Sequence, residues 1–285
     1  MAARGVDTST EALRMPTAFL SSEEYDERAQ RLYNEGRYDA ALGLLHEGLR
    51  LYPNAVDLYV GLAFAQLSRE EFAWAKNAFE KALLLDEHND DALVGLGETL
   101  LRIGHHAEAL NVFGRVRRSR SGADPQLLLS IGRALYREGL GPQARDAFLD
   151  ALEATPDLAE AHAGLAYTFH LDGQLRRARA TLRRALDLDP HLHEARVFLG
   201  HLLYDAGRWE GALATYRAVP IDEHWDALAV RRALELMAAL EGVEDARAEP
   251  WRDRLRAIDG RRSYVDRLLA EIEASGVGAG GRRAD

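Results

Sequence analysis

Histidines and carboxylates are the side chains here best able to do chemistry. Cysteine is absent, and with it disulfides, thiol nucleophiles and thiolate metal sites. Imidazole with carboxylate could ligate zinc or nickel, and His191, His193, His162 and Glu160 are close enough in sequence to be tested for it. His105 and His106 lie in a turn and read as solvent-facing. For catalysis the motifs are missing: no phosphate loop ending in Gly-Lys, no GxSxG turn and no HExxH helix, since His46-Glu47 and His193-Glu194 lack the second histidine. The sequence therefore predicts no enzyme, no catalytic residue, no cofactor and no metal centre. Two arginine clusters, Arg115, Arg117, Arg118 and Arg120, then Arg176, Arg177, Arg179, Arg183 and Arg184, raise nucleic-acid binding. The formal net charge of -10 opposes it, and the second cluster falls on the outer helices, so these read as solvent-facing helix surfaces.

The elements that must carry these side chains repeat. Ala41, Ala75, Ala109, Ala144, Ala178 and Ala212 are spaced by 34, 34, 35, 34 and 34 residues. Ala29, Ala63, Gly97, Gly132, Ala166 and Gly200 run twelve positions ahead in lockstep. Each interval holds two helical patterns split by a breaker, Gly36, Gly104, Gly139, Gly173 or Gly207, with Glu70 in that place in the second interval. Pro53, Pro156 and Pro190 stop second helices. Leu45, Phe79, Phe113, Phe148, Leu182 and Tyr216 are the large side chains expected to fill the sockets left by the small ones.

Small residues at the eighth and twentieth positions of a 34-residue unit, an aromatic at the twenty-fourth and a late proline resemble the tetratricopeptide repeat family. Units fall at 22–55, 56–89, 90–123, 125–158, 159–192 and 193–226, preceded by a mobile segment 1–21. A helical cap is expected over 227–275, with Leu228, Leu234, Met237 and Leu240 on its inner side, then a disordered tail 276–285. The resemblance implies an all-α fold, a right-handed α-solenoid of helix-turn-helix repeats with a helical C-terminal cap.

The family's binding surface is mainly the concave one, lined by first helices. Carried over, those positions give an apolar peptide-binding groove of Val60, Phe64, Leu67, Val94, Leu101, Leu129, Tyr136, Tyr167, Leu171, Val197, Phe198 and Tyr204, with Arg133 as a cation in its middle and Arg102 and Arg137 nearby. His170 and His201 also face it. The two-carboxylate clamp that some members use on chaperone tails is missing, because Asp26, Gln30, Gly61, Asp91 and Gly95 occupy its positions. So is the asparagine ladder, replaced by Glu27, Gly61, Gly95, Ser130, Gly164 and Phe198. The expected function is a non-catalytic adaptor or assembly scaffold holding an apolar-anchored peptide or helix of another protein. In the alternative, a structural subunit buries the groove or cap in a homo-oligomer or larger complex. A third reading has Leu13, Met15, Phe19 and Leu20 of the N-terminal segment cover the groove.

No apolar run approaches the roughly 20 residues of a membrane span, and the N-terminus lacks a secretory pattern, so a cytoplasmic address is expected. Lys76 and Lys81 are the only lysines; this arginine bias, with abundant alanine and glycine, suggests a bacterial genome.

Overall fold

Fifteen α-helices and two short 3-10 turns make up the computed structural model, which describes residues 20–118, 124–242, 246–259 and 262–279. Leu13, Met15, Phe19 and Arg120 lie outside the described residues. The chain divides into two compact units, Met1–Ser119 and Arg120–Asp285. No helix among the described residues is long and apolar enough to cross a membrane.

The first unit is three antiparallel helix pairs, α1 (Ser22–Asn34) with α2 (Tyr38–Leu51), α3 (Val56–Ser68) with α4 (Phe72–Leu85), and α5 (Asp90–Arg102) with α6 (His106–Arg118). Entry to α1 is fixed by a capping box: the Ser21 hydroxyl accepts from the Glu24 amide and the Glu24 carboxylate accepts from the Ser21 amide. Gly36 leaves α1 at φ 72°, a left-handed angle that satisfies the last carbonyls at little steric cost. In the second pair that position is Glu70, held at φ 61° and the one described non-glycine residue with positive φ. An ion pair to Arg102 at 3.3 Å engages its side chain.

The second unit repeats the design with α7 (Pro125–Arg137) and α8 (Gly141–Ala154), α9 (Ala159–Leu171) and α10 (Leu175–Leu188), and α11 (His193–Asp205) and α12 (Trp209–Arg217). Helix α12 stops early before Pro220. A 3-10 turn, Ile221–Glu223, then leads to α13 (Ala227–Leu240), which packs on α11 and α12, and to α14 (Glu249–Asp259) and α15 (Arg262–Ala279), which pack on α13. Helical backbone continues to Ala279, into the segment 276–285 expected to be the tail, because Gly276 and Gly278 weaken a helix without ending it. Residues 280–285 lie outside the described residues.

The cores follow from matched volumes. All six alanines of the first series are fully buried, where two helices cross. Where the large side chain of the second helix is leucine, Leu45 or Leu182, the small residue of the first helix is Ala29 or Ala166. For three aromatic ones it is glycine: a methyl at Gly97, Gly132 or Gly200 would collide with Phe113, Phe148 or Tyr216. Phe148 also fills the space over Gly164 of the next pair, as Phe79 does over Gly95. Close packing leaves no room for a second methyl.

Candidate partner-binding face

In the second unit, the first helices α7, α9 and α11 present Tyr136, Tyr167 and Phe198, each separated from the next by 31 residues. A step one helical turn shorter than the repeat brings successive side chains together on neighbouring helices. The ring centroids of Tyr136 and Tyr167 lie 5.8 Å apart, and those of Tyr167 and Phe198 4.8 Å apart, edge to face. All three are partly exposed. Phe198 also takes the ring of His170 at 5.1 Å.

The floor beneath Tyr136 and Tyr167 is Phe148, which reaches through the gap left by Gly132 and Gly164. A cavity of about 360 Å³ opens there, bordered by Arg133, Arg137, Glu160 and Glu194. Arg133 is exposed and makes no hydrogen bond or ion pair among the described residues. A second cleft of about 170 Å³ adjoins it, sharing Tyr136, Tyr167 and Glu194 and adding Phe198 and Trp225. Burial raises the ionisation of both tyrosines above the ordinary phenol range, and the Glu194 charge raises it further.

In the first unit Tyr33 and Phe64 stand at the same step of 31 residues, but they border a cavity of about 350 Å³ containing Asp26, Asp57 and Asp91. Phe64 meets Phe79 edge to face at 5.1 Å, and the Tyr33 hydroxyl pairs with Ser68 at 2.8 Å. Desolvation raises the Asp26 carboxyl above the ordinary range, and the like charges of Asp57 and Glu27 add to the rise.

Several expected groove residues have other employment. Leu67, Val94, Leu101, Leu129 and Val197 are buried, because a first helix flanked by neighbouring pairs is covered on more than one side. Val60 remains partly exposed in the acidic cavity. Leu171 is 51% exposed at the end of α9, where its methyl sits over Gly141, and borders neither of the two cavities beside the rings. Arg102 turns to Glu70 and lies over the Phe72 ring at 4.9 Å.

Tyr204 belongs to the cap. Its hydroxyl donates to Glu235 of α13 at 2.7 Å, and the Arg232 guanidinium covers its ring at 4.4 Å. Burial, then the Glu235 hydrogen bond, pushes the phenol up to about 12. His201 joins the same junction: its Nε2–H donates to Asp226 at 2.7 Å, and its Nδ1 accepts from the Tyr216 hydroxyl at 2.8 Å and from Arg232 at 3.1 Å. Those two donors select the neutral Nε2–H tautomer. The His201 hydrogen bond holds the Asp226 carboxyl below its ordinary range, while the other Asp226 oxygen caps α13 by accepting from the Leu228 amide at 2.9 Å.

The four candidate metal ligands do not converge. His193 pairs with Glu223 at 2.8 Å, His162 donates to the Pro156 carbonyl at 2.9 Å, and the His191 and His193 rings are 6.2 Å apart. Among the described residues no cluster of three or more histidine, cysteine, aspartate or glutamate side chains could hold a metal ion. Two residues of the ring face escape a reading by repeat position. Trp225 lies in the irregular link before α13, where no periodicity points, and Phe148 reads as core because it belongs to a second helix. The step of 31 residues could have identified the stacked rings.

Comparison with known proteins fits this architecture. The chain is 32% identical over 110 residues to a DnaJ homolog subfamily C member 3 homolog from Dictyostelium discoideum, covering 37% of this chain and 22% of that protein. It is 28% identical over 192 residues to cellulose synthase operon protein C of Pseudomonas fluorescens (strain SBW25), covering 65% of this chain and 15% of that protein. It thus spans less than a quarter of either relative. Among solved structures, the pilF protein of Pseudomonas aeruginosa shares the fold with a TM-score of 0.60 at 19% identity, covering 76% of this chain and 97% of that one. A tetratricopeptide repeat protein from Parabacteroides merdae shares it with a TM-score of 0.59 at 17% identity, over 88% and 98%. Sequence models described as tetratricopeptide repeat match residues 65–126, 94–159, 129–193 and 169–242. With its helix pairs, glycine turns and matched small and large residues, the chain belongs to the tetratricopeptide repeat family, whose repeats generally mediate protein–protein interaction and are generally non-catalytic.

Proposed function

We propose that this chain is a non-catalytic adaptor or scaffold that binds a segment of a partner protein across the ring face of its second unit. The observation that carries this reading is the row of Tyr136, Tyr167 and Phe198, in contact ring to ring yet left partly open to solvent. Contiguous exposed apolar surface favours occupation. Apolar anchors of a bound segment would cover the rings, and Arg133 would take an acidic side chain or carboxylate. Each well-buried anchor contributes about 1.5–3 kcal/mol before ordering costs, so two or three supply about 3–9 kcal/mol, which approaches the roughly 8 kcal/mol of micromolar affinity only at the upper end.

Selection of displayed random peptides against the purified chain tests the reading. Peptides with apolar or aromatic anchors should be enriched on the wild type and lost on Phe198→Arg and on Tyr136→Ala, with helical content unchanged by circular dichroism. Equal enrichment on all three proteins defeats the proposal. A concentration-independent dimer whose contact covers these rings would favour the homo-oligomeric subunit instead.

A further inference from the structure

The smaller cleft at the end of the ring face differs chemically from the rest of it. Its walls are the rings of Tyr136, Tyr167, Phe198 and Trp225, and Trp225 is 51% exposed. Glu194 stands at its edge, exposed, without a hydrogen bond or ion pair among the described residues. Asp226 also borders it and accepts hydrogen bonds as a carboxylate from His201 and Leu228. No arginine or lysine lines this cleft, and His201, which does, gives its Nε2 proton to Asp226: Arg133 and Arg137 border the neighbouring cavity, and Arg232 pairs with Asp205 at 2.8 Å while covering Tyr204.

Resting on the binding reading above, the geometry points to a cation pocket: the cleft between Tyr136, Tyr167, Phe198, Trp225 and Glu194 receives an arginine side chain of the partner segment. Charge complementarity selects this occupant. An apolar side chain would strip water from Glu194 and give it no partner, and an anion would face both the carboxylate and the negative ring faces. A guanidinium satisfies the carboxylate and the rings together, and it is more weakly hydrated than an ammonium, so it loses less on entry. Burial raises both phenols first, the Glu194 charge raises them further, and Arg133 opposes that rise at Tyr167. The partner segment therefore carries a basic residue beside its apolar anchors.

The test uses the full chain labelled with 5-fluorotryptophan. Its four tryptophans give separate fluorine resonances, and Trp225→Phe identifies the one at the cleft. N-acetyl-arginine methylamide, its neutral isostere N-acetyl-citrulline methylamide, and N-acetyl-leucine methylamide are titrated to about 50 mM. The arginine probe should move the Trp225 resonance saturably, with the citrulline probe about fivefold weaker, and Glu194→Gln should weaken the arginine probe by about fivefold. Equal effects of arginine and citrulline, or an arginine response unchanged in Glu194→Gln, overturn the cation pocket. A leucine response without an arginine response overturns it too, yet leaves the ring face standing as an apolar binding surface. If none of the probes moves the resonance the pocket is also refuted, and the peptide selection decides separately whether the face binds anything.

Discussion

Each unit builds a face of first helices from the same parts, and the two faces differ in chemistry. Both place rings on successive first helices at a step of 31 residues, Tyr33 and Phe64 in the first unit, Tyr136, Tyr167 and Phe198 in the second. In the first, the space around the rings holds Asp26, Asp57 and Asp91; in the second, it is floored by Phe148 and edged by Arg133, Glu160 and Glu194. The repeat thus sets where a side chain projects, while a few substitutions on that frame set what the face can hold. The same contrast appears in two aspartates. Burial and the crowding of like charges raise Asp26, whereas a histidine partner lowers Asp226.

The floor should show the largest difference. A methyl at Gly164 would stand 2.5 Å from the Phe148 ring, inside any tolerable contact, while one at Gly61 meets the flexible end of Leu45 at 3.2 Å. Gly164→Ala is expected to destabilise the second unit by about 1–2 kcal/mol despite the gain in helix propensity, and Gly61→Ala to be near neutral. Urea unfolding of both variants decides it, and equal midpoints would remove the packing distinction between the two floors.

Next in size is Asp226→Asn, which weakens a charge-assisted bond to His201 and should cost about 1–2 kcal/mol at pH 7. Because the folded carboxyl is depressed, the wild-type advantage is full above the unfolded value near pH 3.9 and disappears as pH falls through the lower folded one. Asp26→Asn should do the reverse. Its raised carboxyl makes the ionised form a burden above the folded value, so the variant gains a few tenths of a kcal/mol at pH 7. That gain should shrink as pH falls and vanish below about pH 3.9. Stability curves of the two variants that lie on opposite sides of the wild type at pH 7 and converge on it as pH falls would confirm the contrast. Parallel curves would break it.

Much of the fold was legible because it is local. Gly36, Gly104, Gly139, Gly173 and Gly207 all have positive φ, and Glu70, which stands in their place, takes the same angle. Positions on the proposed binding face were harder to read. Position in a repeat locates a face, yet Leu101 and Leu129 point from it into the helix contacts, and Tyr204 is taken by the cap. Whether an apolar side chain on a first helix is core or surface depends on the neighbours that cover it, and those come from other pairs.

The sequence by itself determined the helix pairs, their turns and the pairing of small with large residues, since these rest on backbone angles and on volumes fixed by residue type and spacing. Only the tertiary structure decided which rings stay open, that Trp225 completes the cleft, that Phe148 becomes a floor, and that His201 and Tyr204 hold the cap. Each of those outcomes depends on side-chain contacts between different helices, 16 residues apart for Phe148 and Gly164, 25 for His201 and Asp226 and 31 for Tyr204 and Glu235, which a helical period cannot encode.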